Sequence, residues 1–219
     1  MINSIVWLIF FGMGWSGFMR GLNYLRFLAP GIFMITIFSH SVFSGISVIW
    51  DKELGFLKEV LVAPASRKES IAGRIIGDSI IAIVQGIVIL TLSFLLVRMN
   101  VLGILPSIVF GFLLAIAFSS LGVCIALRTR SMEGFQMILS ILILPLIFLS
   151  GAIFPIDAMP SWMKVLAYLN PMTYAVDGAR VYLSGMRSLP ILLDWVILSA
   201  VTALSLGLAM VSFERSTIE

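Results

Sequence analysis

The sequence predicts an all-α polytopic membrane protein with six transmembrane helices. Hydrophobic residues make up 60% of the 219 residues and charged residues only 11%, whereas soluble domains carry about 25% charged residues. The mean hydropathy is +1.13. Apolar stretches close to the roughly 20 residues that a spanning helix needs recur along the whole chain. No polar stretch is long enough to form a separate soluble domain, so a single membrane domain accounts for the sequence.

The apolar stretches define the predicted spans and leave one ambiguous region. The spans cover residues 2–18, 28–50, 71–97, 103–127, 135–154 and 192–213. The region 155–190 is too polar for a further span and too apolar for a free loop. Pro160 and the pair Asn170–Pro171 predict two helix starts there, because Asn caps helices well and Pro suits the first helical position. Gly185 predicts the end of the second helix, since glycine commonly ends helices. Aromatic residues throughout 160–184 favour helices that lie in the outer membrane interface.

Charge, cysteine content and the lack of catalytic motifs limit the functions that this chain can have. The net charge of +3 is explained by basic residues at the cytoplasmic membrane edge, so no nucleic-acid partner is inferred. Cys124 is the single cysteine and cannot form an internal disulfide. The sequence contains no phosphate-binding loop, no zinc-binding HExxH and no GxSxG elbow. We therefore predict no enzyme activity, no metal site and no cofactor in this chain.

The only long charge-dense stretch runs from Asp51 to Arg67 and reads DKELGFLKEVLVAPASR. Three of its leucines recur at helical spacing, which predicts an amphipathic helix over about 51–63 that ends before Pro64. Spans flank it on both sides, so it lies at the water surface. Two interpretations are open: a solvated helical loop, the usual role of a charge run, or a docking helix for a soluble partner.

Polar residues also form a stripe inside the second span. Thr36, His40, Ser44 and Ser47 follow each other at helical spacing. One interpretation is hydrogen bonding to neighbouring helices, which Ser and Thr commonly provide in membranes. The other is that these four residues line a transport pathway, because an ionisable residue inside a membrane is often functional. His40 is the only histidine and cannot form a metal site alone.

Helical spacing predicts two further ion pairs within single helices. Arg74 and Asp78 are four residues apart, and Asp177 and Arg180 are three apart. Oppositely charged residues at these spacings lie side by side on a helix surface.

Two segments resemble sequence motifs of the ABC type 2 exporter permeases, the class with daunorubicin-resistance and polysaccharide-export membrane subunits. The first resembles the pattern E-x-G-[TF]-L-x-E-L-L-x-x-P-x-x-R, with matches at Glu53, Gly55, Phe56, Leu57, Glu59, Leu61, Pro64 and Arg67. The second resembles N-P-[LM]-T-Y-x-[VI]-[DE]-x-[LA]-R, with matches at Asn170, Pro171, Met172, Thr173, Tyr174, Ala175, Val176, Asp177, Gly178 and Arg180. The motifs occur in the family's order, and the resemblance covers nearly the whole chain.

The resemblance implies a membrane permease subunit of an ATP-driven exporter in the cell membrane. The implied partners are a separate ATPase subunit, which would bind ATP and Mg²⁺, membrane lipid, and a second copy of the permease that forms a homodimer. The resemblance also places the charged stretch inside the cell. The balance of Lys and Arg, eight inside against six outside, favours that orientation only slightly.

The resemblance also implies roles for particular residues. The residues expected to couple the permease to the ATPase are Lys52, Glu53, Gly55, Phe56, Leu57, Lys58, Glu59, Leu61, Pro64 and Arg67. The residues expected in a pair of re-entrant helices at the exit side are Asn170, Pro171, Tyr174, Asp177 and Arg180. The family usually has a cytoplasmic amphipathic segment before its first span, and this sequence enters a span at once. Either the chain is a short member or its start lies upstream.

Two other functions compete with an ATP-driven permease. An ion-coupled secondary transporter would work without an ATPase and would need ionisable groups near the bilayer midplane. A scaffold without transport is the third function considered, and the charged helix argues against it. For a transporter, the apolar interior favours a lipophilic or amphipathic substrate such as a drug or a lipid-linked glycan.

Overall fold

The computed structural model describes residues 6, 7, 10, 14, 24–54, 66–129 and 131–215. Regular structure within these ranges is helical throughout. The α-helices are α1 (Tyr24–Phe43), α2 (Gly45–Glu53), α3 (Arg67–Leu96), α4 (Ile104–Arg128), α5 (Met132–Leu149), α6 (Ser161–Leu169), α7 (Pro171–Ser184) and α8 (Ile191–Glu214). Short 3-10 helices at Val101–Gly103 and Ile156–Ala158 precede α4 and α6.

Five of the described helical segments are long and apolar enough to cross a membrane. They are Tyr24–Lys52, Arg67–Leu96, Val101–Arg128, Met132–Leu149 and Ile191–Glu214. These segments correspond to the second to sixth predicted spans, which confirms an all-α polytopic membrane protein. The predicted first span, 2–18, lies outside the described residues except at positions 6, 7, 10 and 14. The fifth span ends earlier than its predicted limit at residue 154, because the chain turns at Gly151 with φ of +74°.

Helix α1 forms the centre of the bundle. Its apolar side chains Leu28, Ile32, Phe33 and Ile37 are fully buried, and α3, α4 and α7 pack around it. Helix α8 packs mainly against α4, α7 and α3. In water, burial of apolar surface contributes about 25 cal/mol per Å² to packing. Lipid is as apolar as the helix surface and gives no such driving force, so close steric fit stabilises this packing.

One such fit lies where α2 crosses α4. A Cβ atom on Gly45 would lie 2.4 Å from the carbonyl oxygen of Gly122, and one on Gly122 would lie 2.6 Å from the carbonyl oxygen of Val42. No side chain fits into these distances, so both positions require glycine. The contact brings the last turn of α2 alongside the last turn of α4.

The bundle has two distinct ends. The charged end contains the last turns of α2, α4 and α8 and the first turn of α3, which hydrogen bonds and ion pairs join directly. The cap end contains the first turns of α1, α4 and α8 together with α6 and α7.

The two short helices at the cap end begin and end where local sequence signals place them. Helix α6 starts after Pro160. The Asn170 side chain accepts a hydrogen bond from the backbone N–H of Met172, and Pro171 occupies the first turn of α7. Gly185 ends α7 in the left-handed conformation at φ of +72°, which glycine adopts without steric cost. These bounds agree with the predicted helix starts and stop.

Candidate functional site

At the charged end, Lys52 ties the last turn of α2 to α4. Its Nζ donates hydrogen bonds to the carbonyl oxygens of Ala126, at 3.0 Å, and Leu127, at 2.7 Å. The last carbonyls of a helix lack partners within the helix and carry its negative dipole end. A lysine ammonium therefore satisfies two acceptors and a favourable charge interaction at once. Lys52 is the last residue of the segment Tyr24–Lys52, so this contact lies shortly before residues 55–65, which are outside the described residues.

A second contact ties α2 to α3. The guanidinium of Arg74 forms an ion pair with the carboxylate of Asp51, and its Nε donates to the Ser47 hydroxyl at 3.2 Å. The predicted pair of Arg74 with Asp78 is therefore wrong. Arg74 reaches across to the preceding helix instead, since an interhelical carboxylate and hydroxyl together satisfy more of its donors.

After residues 55–65, the chain enters α3, and the start of α3 is tied to the end of α8. The Nζ of Lys68 lies 3.0 Å from the Glu214 carboxylate, and Arg67 donates to the Glu214 carbonyl oxygen at 3.4 Å. Both residues are exposed, so the ion pair itself contributes little to stability. The position of this ion pair matters more, because it joins the first turn of α3, directly after residues 55–65, to the last turn of α8.

The residues expected to couple to an ATPase are thus only partly placed. Lys52 and Arg67 make the contacts just given, and Glu53 ends α2. The remaining ones lie outside the described residues, namely Gly55, Phe56, Leu57, Lys58, Glu59, Leu61 and Pro64. Four residues that the motif did not single out, Asp51, Lys68, Arg74 and Glu214, form the two ion pairs that attach α2 to α3 and α3 to α8. Their charge, in a sequence with so few charged residues, was the available signal.

Reversing the Asp51–Arg74 pair tests the α2–α3 attachment. Each side chain is about a quarter exposed, so we expect Asp51→Arg alone to lower the free energy of unfolding by about 1 kcal/mol. The combination Asp51→Arg with Arg74→Asp should recover most of that loss. Thermal unfolding in detergent, followed by tryptophan fluorescence, measures both. An additive loss in the double variant would show that the two residues do not interact.

A cavity of about 400 Å³ opens between α1, α3 and α5. Its polar lining consists of Thr36, Ser39, His40 and Gln85. The remaining lining is apolar and comes from Trp7, Ile32, Ile35, Phe43, Ile143, Leu144 and Ile147. A mostly apolar wall with a few convergent polar groups is typical of small-molecule binding sites.

The structure divides the predicted polar stripe into two parts. Thr36 and His40 line the cavity, although the Thr36 hydroxyl donates to the carbonyl of Ile32 in its own helix. Ser47 belongs to the charged end, where it accepts from Arg74 and donates to the carbonyl of Ser44. Ser44 and Ser47 are not among the residues that line the cavity. A pathway role thus stays a prediction for all four residues, of which Thr36 and His40 line this cavity.

At the cap end, Arg180 connects three segments. It is 2% exposed and donates to the carbonyl oxygens of Gly151 at 2.9 Å, Ala152 at 3.4 Å and Phe27 at 3.3 Å. Its guanidinium carbon lies 3.7 Å from the centroid of the Phe27 ring, a cation–π contact. Burial lowers the pKa of Arg180 to about 10, which leaves the side chain charged at neutral pH.

Asp177 does not pair with Arg180, contrary to the spacing-based expectation. Its carboxylate accepts from the backbone N–H groups of Ser188, at 2.9 Å, and Leu189, at 3.0 Å. It therefore holds the turn between α7 and α8. Asp177 thus pairs backbone N–H groups of the turn before α8, and Arg180 pairs carbonyl groups of the buried turn at Gly151 and Ala152. Backbone groups that are shielded from water must be paired somewhere.

Asn170 and Tyr174 complete the second motif in the same way. The Asn170 amide donates to the carbonyl of Leu146 at 2.7 Å, and the Tyr174 hydroxyl donates to the carbonyl of Tyr168 at 2.6 Å. Burial raises the pKa of Tyr174, so the hydroxyl keeps its proton. The motif residues thus fasten α7 to α5, α6 and the turn before α8, and none of them lines the cavity.

Comparison with known proteins assigns the chain to a protein family. Residues 1–184 match the ABC-2 type transporter family, a range that ends with the last residue of α7. The chain belongs to the ABC-2 type transporter family. The family membership predicted from the two motifs is therefore confirmed.

Individual ABC-2 relatives share a quarter to a third of their aligned residues with the chain. The ycf38 protein of Cyanophora paradoxa is 32% identical over 188 residues, which are 82% of this chain and 65% of that protein. The inner membrane transport permease YadH of Escherichia coli K12 is 24% identical over 183 residues, 83% of this chain and 72% of YadH. The daunorubicin resistance ABC transporter permease protein DrrB1 of Streptomyces coeruleorubidus is 29% identical over 170 residues, 74% of this chain and 59% of DrrB1. The chain thus spans about two thirds of the length of these ABC-2 relatives.

Proposed function

We propose that the chain is the permease subunit of an ATP-driven exporter and that residues 51–67 dock on a separate ATPase subunit. The observation that carries this proposal is the attachment of the stretch at both ends. At its start, Lys52 and Asp51 fasten α2 to α4 and α3. After it, Lys68 fastens α3 to α8.

This arrangement is suited to passing movement from a partner into the membrane. A force on residues 55–65 acts on α2 and α3 directly, and the lysine contacts carry it to α4 and α8. Coupling between distant sites requires a rigid connection to elements that have two arrangements. A loose loop would absorb the movement, whereas a stretch whose described flanking residues contact four helices would pass it on.

The proposed transport unit contains two copies of the permease in the cell membrane, each with one ATPase subunit. The ATPase would bind ATP and Mg²⁺, and this chain would hydrolyse nothing. Membership of the ABC-2 family supports these partners. No group of three His, Cys, Asp or Glu side chains that could hold a metal occurs in the part of the chain that the structure describes.

The proposed substrate is a lipophilic or amphipathic molecule that leaves the cell, such as a drug or a lipid-linked glycan. The apolar walls of the α1–α3–α5 cavity support an apolar body, and Thr36, His40 and Gln85 provide hydrogen-bonding groups for a polar part. The name of DrrB1, a daunorubicin resistance permease, is consistent with a substrate of this kind.

Two substitutions in the coupling stretch test the docking proposal. Phe56→Asp and Glu59→Lys should leave membrane insertion unchanged and reduce co-purification of the partner ATPase at least about tenfold, the effect of losing one well-packed contact. Phe56→Leu keeps an apolar contact and should bind normally. Asp157→Lys makes the same kind of charge reversal on the cap end and should also bind normally. Undiminished co-purification with both test variants would refute docking at this stretch.

An ion-coupled transporter is the second candidate, because His40 lines the cavity and lies near Asp78 of α3. Two ionisable groups inside a bundle are the elements that such a mechanism needs. Proteoliposomes that contain the chain without any ATPase separate the two functions. Substrate movement driven by a proton or sodium gradient alone would favour ion coupling, and dependence on added ATPase and ATP would favour the exporter.

A further inference from the structure

We infer that the charged end holds a binding site for the phosphate group of an anionic phospholipid, between Arg128 of α4 and Arg215 directly after α8. A cavity of about 360 Å³ separates the last turns of these two helices. Its lining consists of Leu127, Arg128, Leu208, Val211, Ser212 and Arg215. Two arginines and a serine, which come from two helical segments, therefore line one space.

No carboxylate of the described residues compensates the positive charge in this space. The nearest acidic residue along α8 is Glu214, and its carboxylate is paired with Lys68. The carbonyl oxygens of Ala126 and Leu127, which could otherwise attract Arg128, already accept from Lys52. Among the described residues the ion pairs are Lys68–Glu214 and Arg74–Asp51, so neither arginine has a carboxylate partner there. An anion is the partner that this geometry lacks.

The apolar part of the lining indicates a lipid rather than a free anion. Leu208 is 58% exposed and Val211 is 42% exposed, and they lie on α8 within two turns of Arg215. They continue the site along the helix, towards the middle of the span. A phospholipid whose phosphate binds the arginines would thus place its acyl chains against Leu208 and Val211. Arginine suits this role because its planar group binds two phosphate oxygens together.

The level of the site in the bundle agrees with this ligand. Arg128 ends a segment that is apolar enough to span a membrane, and Arg215 directly follows another. Both arginines are exposed. Basic pockets between spanning helices at a membrane surface are where anionic headgroups bind. A single exposed arginine would merely extend towards water, but two from separate helices that face one cavity form a site.

Native mass spectrometry of the full chain, released from nanodiscs, tests the site. With phosphatidylglycerol mixed into phosphatidylcholine, we expect retained phosphatidylglycerol on the wild type. The double variant Arg128→Gln with Arg215→Gln should bind it about 30-fold more weakly, the factor expected for two basic residues near an anionic surface. The matched control, Arg98→Gln with Arg187→Gln, removes the same charge from exposed arginines at the cap end and should bind as the wild type does. Equal retention in all three proteins would overturn the inference.

Cys124 provides a second readout, which uses the wild-type protein and needs no substitution. It is the single cysteine, is partly buried and lies one turn before Arg128, next to Ser212. A lipid seated at the arginines should slow its alkylation by a maleimide in wild-type protein when phosphatidylglycerol replaces phosphatidylcholine. Soluble glycerophosphoglycerol and inorganic phosphate, added to phosphatidylcholine nanodiscs, should have no such effect. Equal protection by inorganic phosphate would show an anion site without lipid specificity, and protection by none of them would exclude the site.

Discussion

Replacing Arg180 by methionine should cause the largest loss of stability among single substitutions in this chain. The guanidinium is buried and satisfies the carbonyl oxygens of Phe27, Gly151 and Ala152. Methionine fills a similar volume but leaves those acceptors without a donor inside the protein. Removing one partner of a buried charged network costs about 3–5 kcal/mol. We expect the Arg180→Met protein to insert into the membrane and then to aggregate when detergent extracts it.

Two comparisons show whether the effect comes from the hydrogen bonds. Arg180→Lys keeps the charge, but its compact ammonium cannot reach three carbonyls that a planar group spans, so it should be intermediate. Arg187→Met removes an exposed arginine from the same end of the bundle and should behave as the wild type. Size-exclusion profiles and thermal unfolding measure all three. A monodisperse, normally stable Arg180→Met protein would show that the cap end does not depend on this residue.

Local signals were sufficient to predict most of the fold. The apolar stretches gave five spans that the structure also has, because hydropathy over about 20 residues is a property of continuous sequence. Asn170, Pro171 and Gly185 gave the bounds of α7 for the same reason, since capping involves residues within one turn. The early end of the fifth span was not predicted. Its cause is the turn at Gly151, and the residues after that turn are themselves apolar.

The candidate site was predicted only where its residues are close in sequence. Lys52 contacts carbonyls 74 and 75 residues away, and Lys68 contacts Glu214 across most of the chain. Spacing within one helix suggested Asp78 for Arg74 and Asp177 for Arg180, and both suggestions were wrong. Charged side chains in a bundle choose among all groups within reach, and a backbone carbonyl in a turn competes well with a carboxylate on the same helix. The motif identified Arg180 without indicating what it binds.

Replacing Lys52 by methionine should separate ATPase binding from transport. The variant removes two hydrogen bonds from an ammonium group to the end of α4, each of the charged kind that contributes about 1.5–3 kcal/mol. The Lys52 ammonium is already bound by α4, and the other residues of the stretch 51–67 are unchanged, so the partner ATPase should still co-purify in normal amount. The contact through which the end of α2 passes movement to the end of α4 would be lost, and ATP-driven export in proteoliposomes should fall at least about tenfold, since about 1.4 kcal/mol of lost coupling energy already has that effect.

The Lys52 variant should lose export and keep ATPase binding, whereas the substitutions at Phe56 and Glu59 should lose both. Lys164→Met removes a lysine from α6 at the cap end and should change neither property. Lys52→Arg offers a rescue, because a guanidinium can donate to the same two carbonyls. Export at the wild-type rate by Lys52→Met would mean that α4 is not driven through this contact. In that case the packing of Gly45 on Gly122 and the Asp51–Arg74 pair would connect the stretch 51–67 to the bundle on the α2 side.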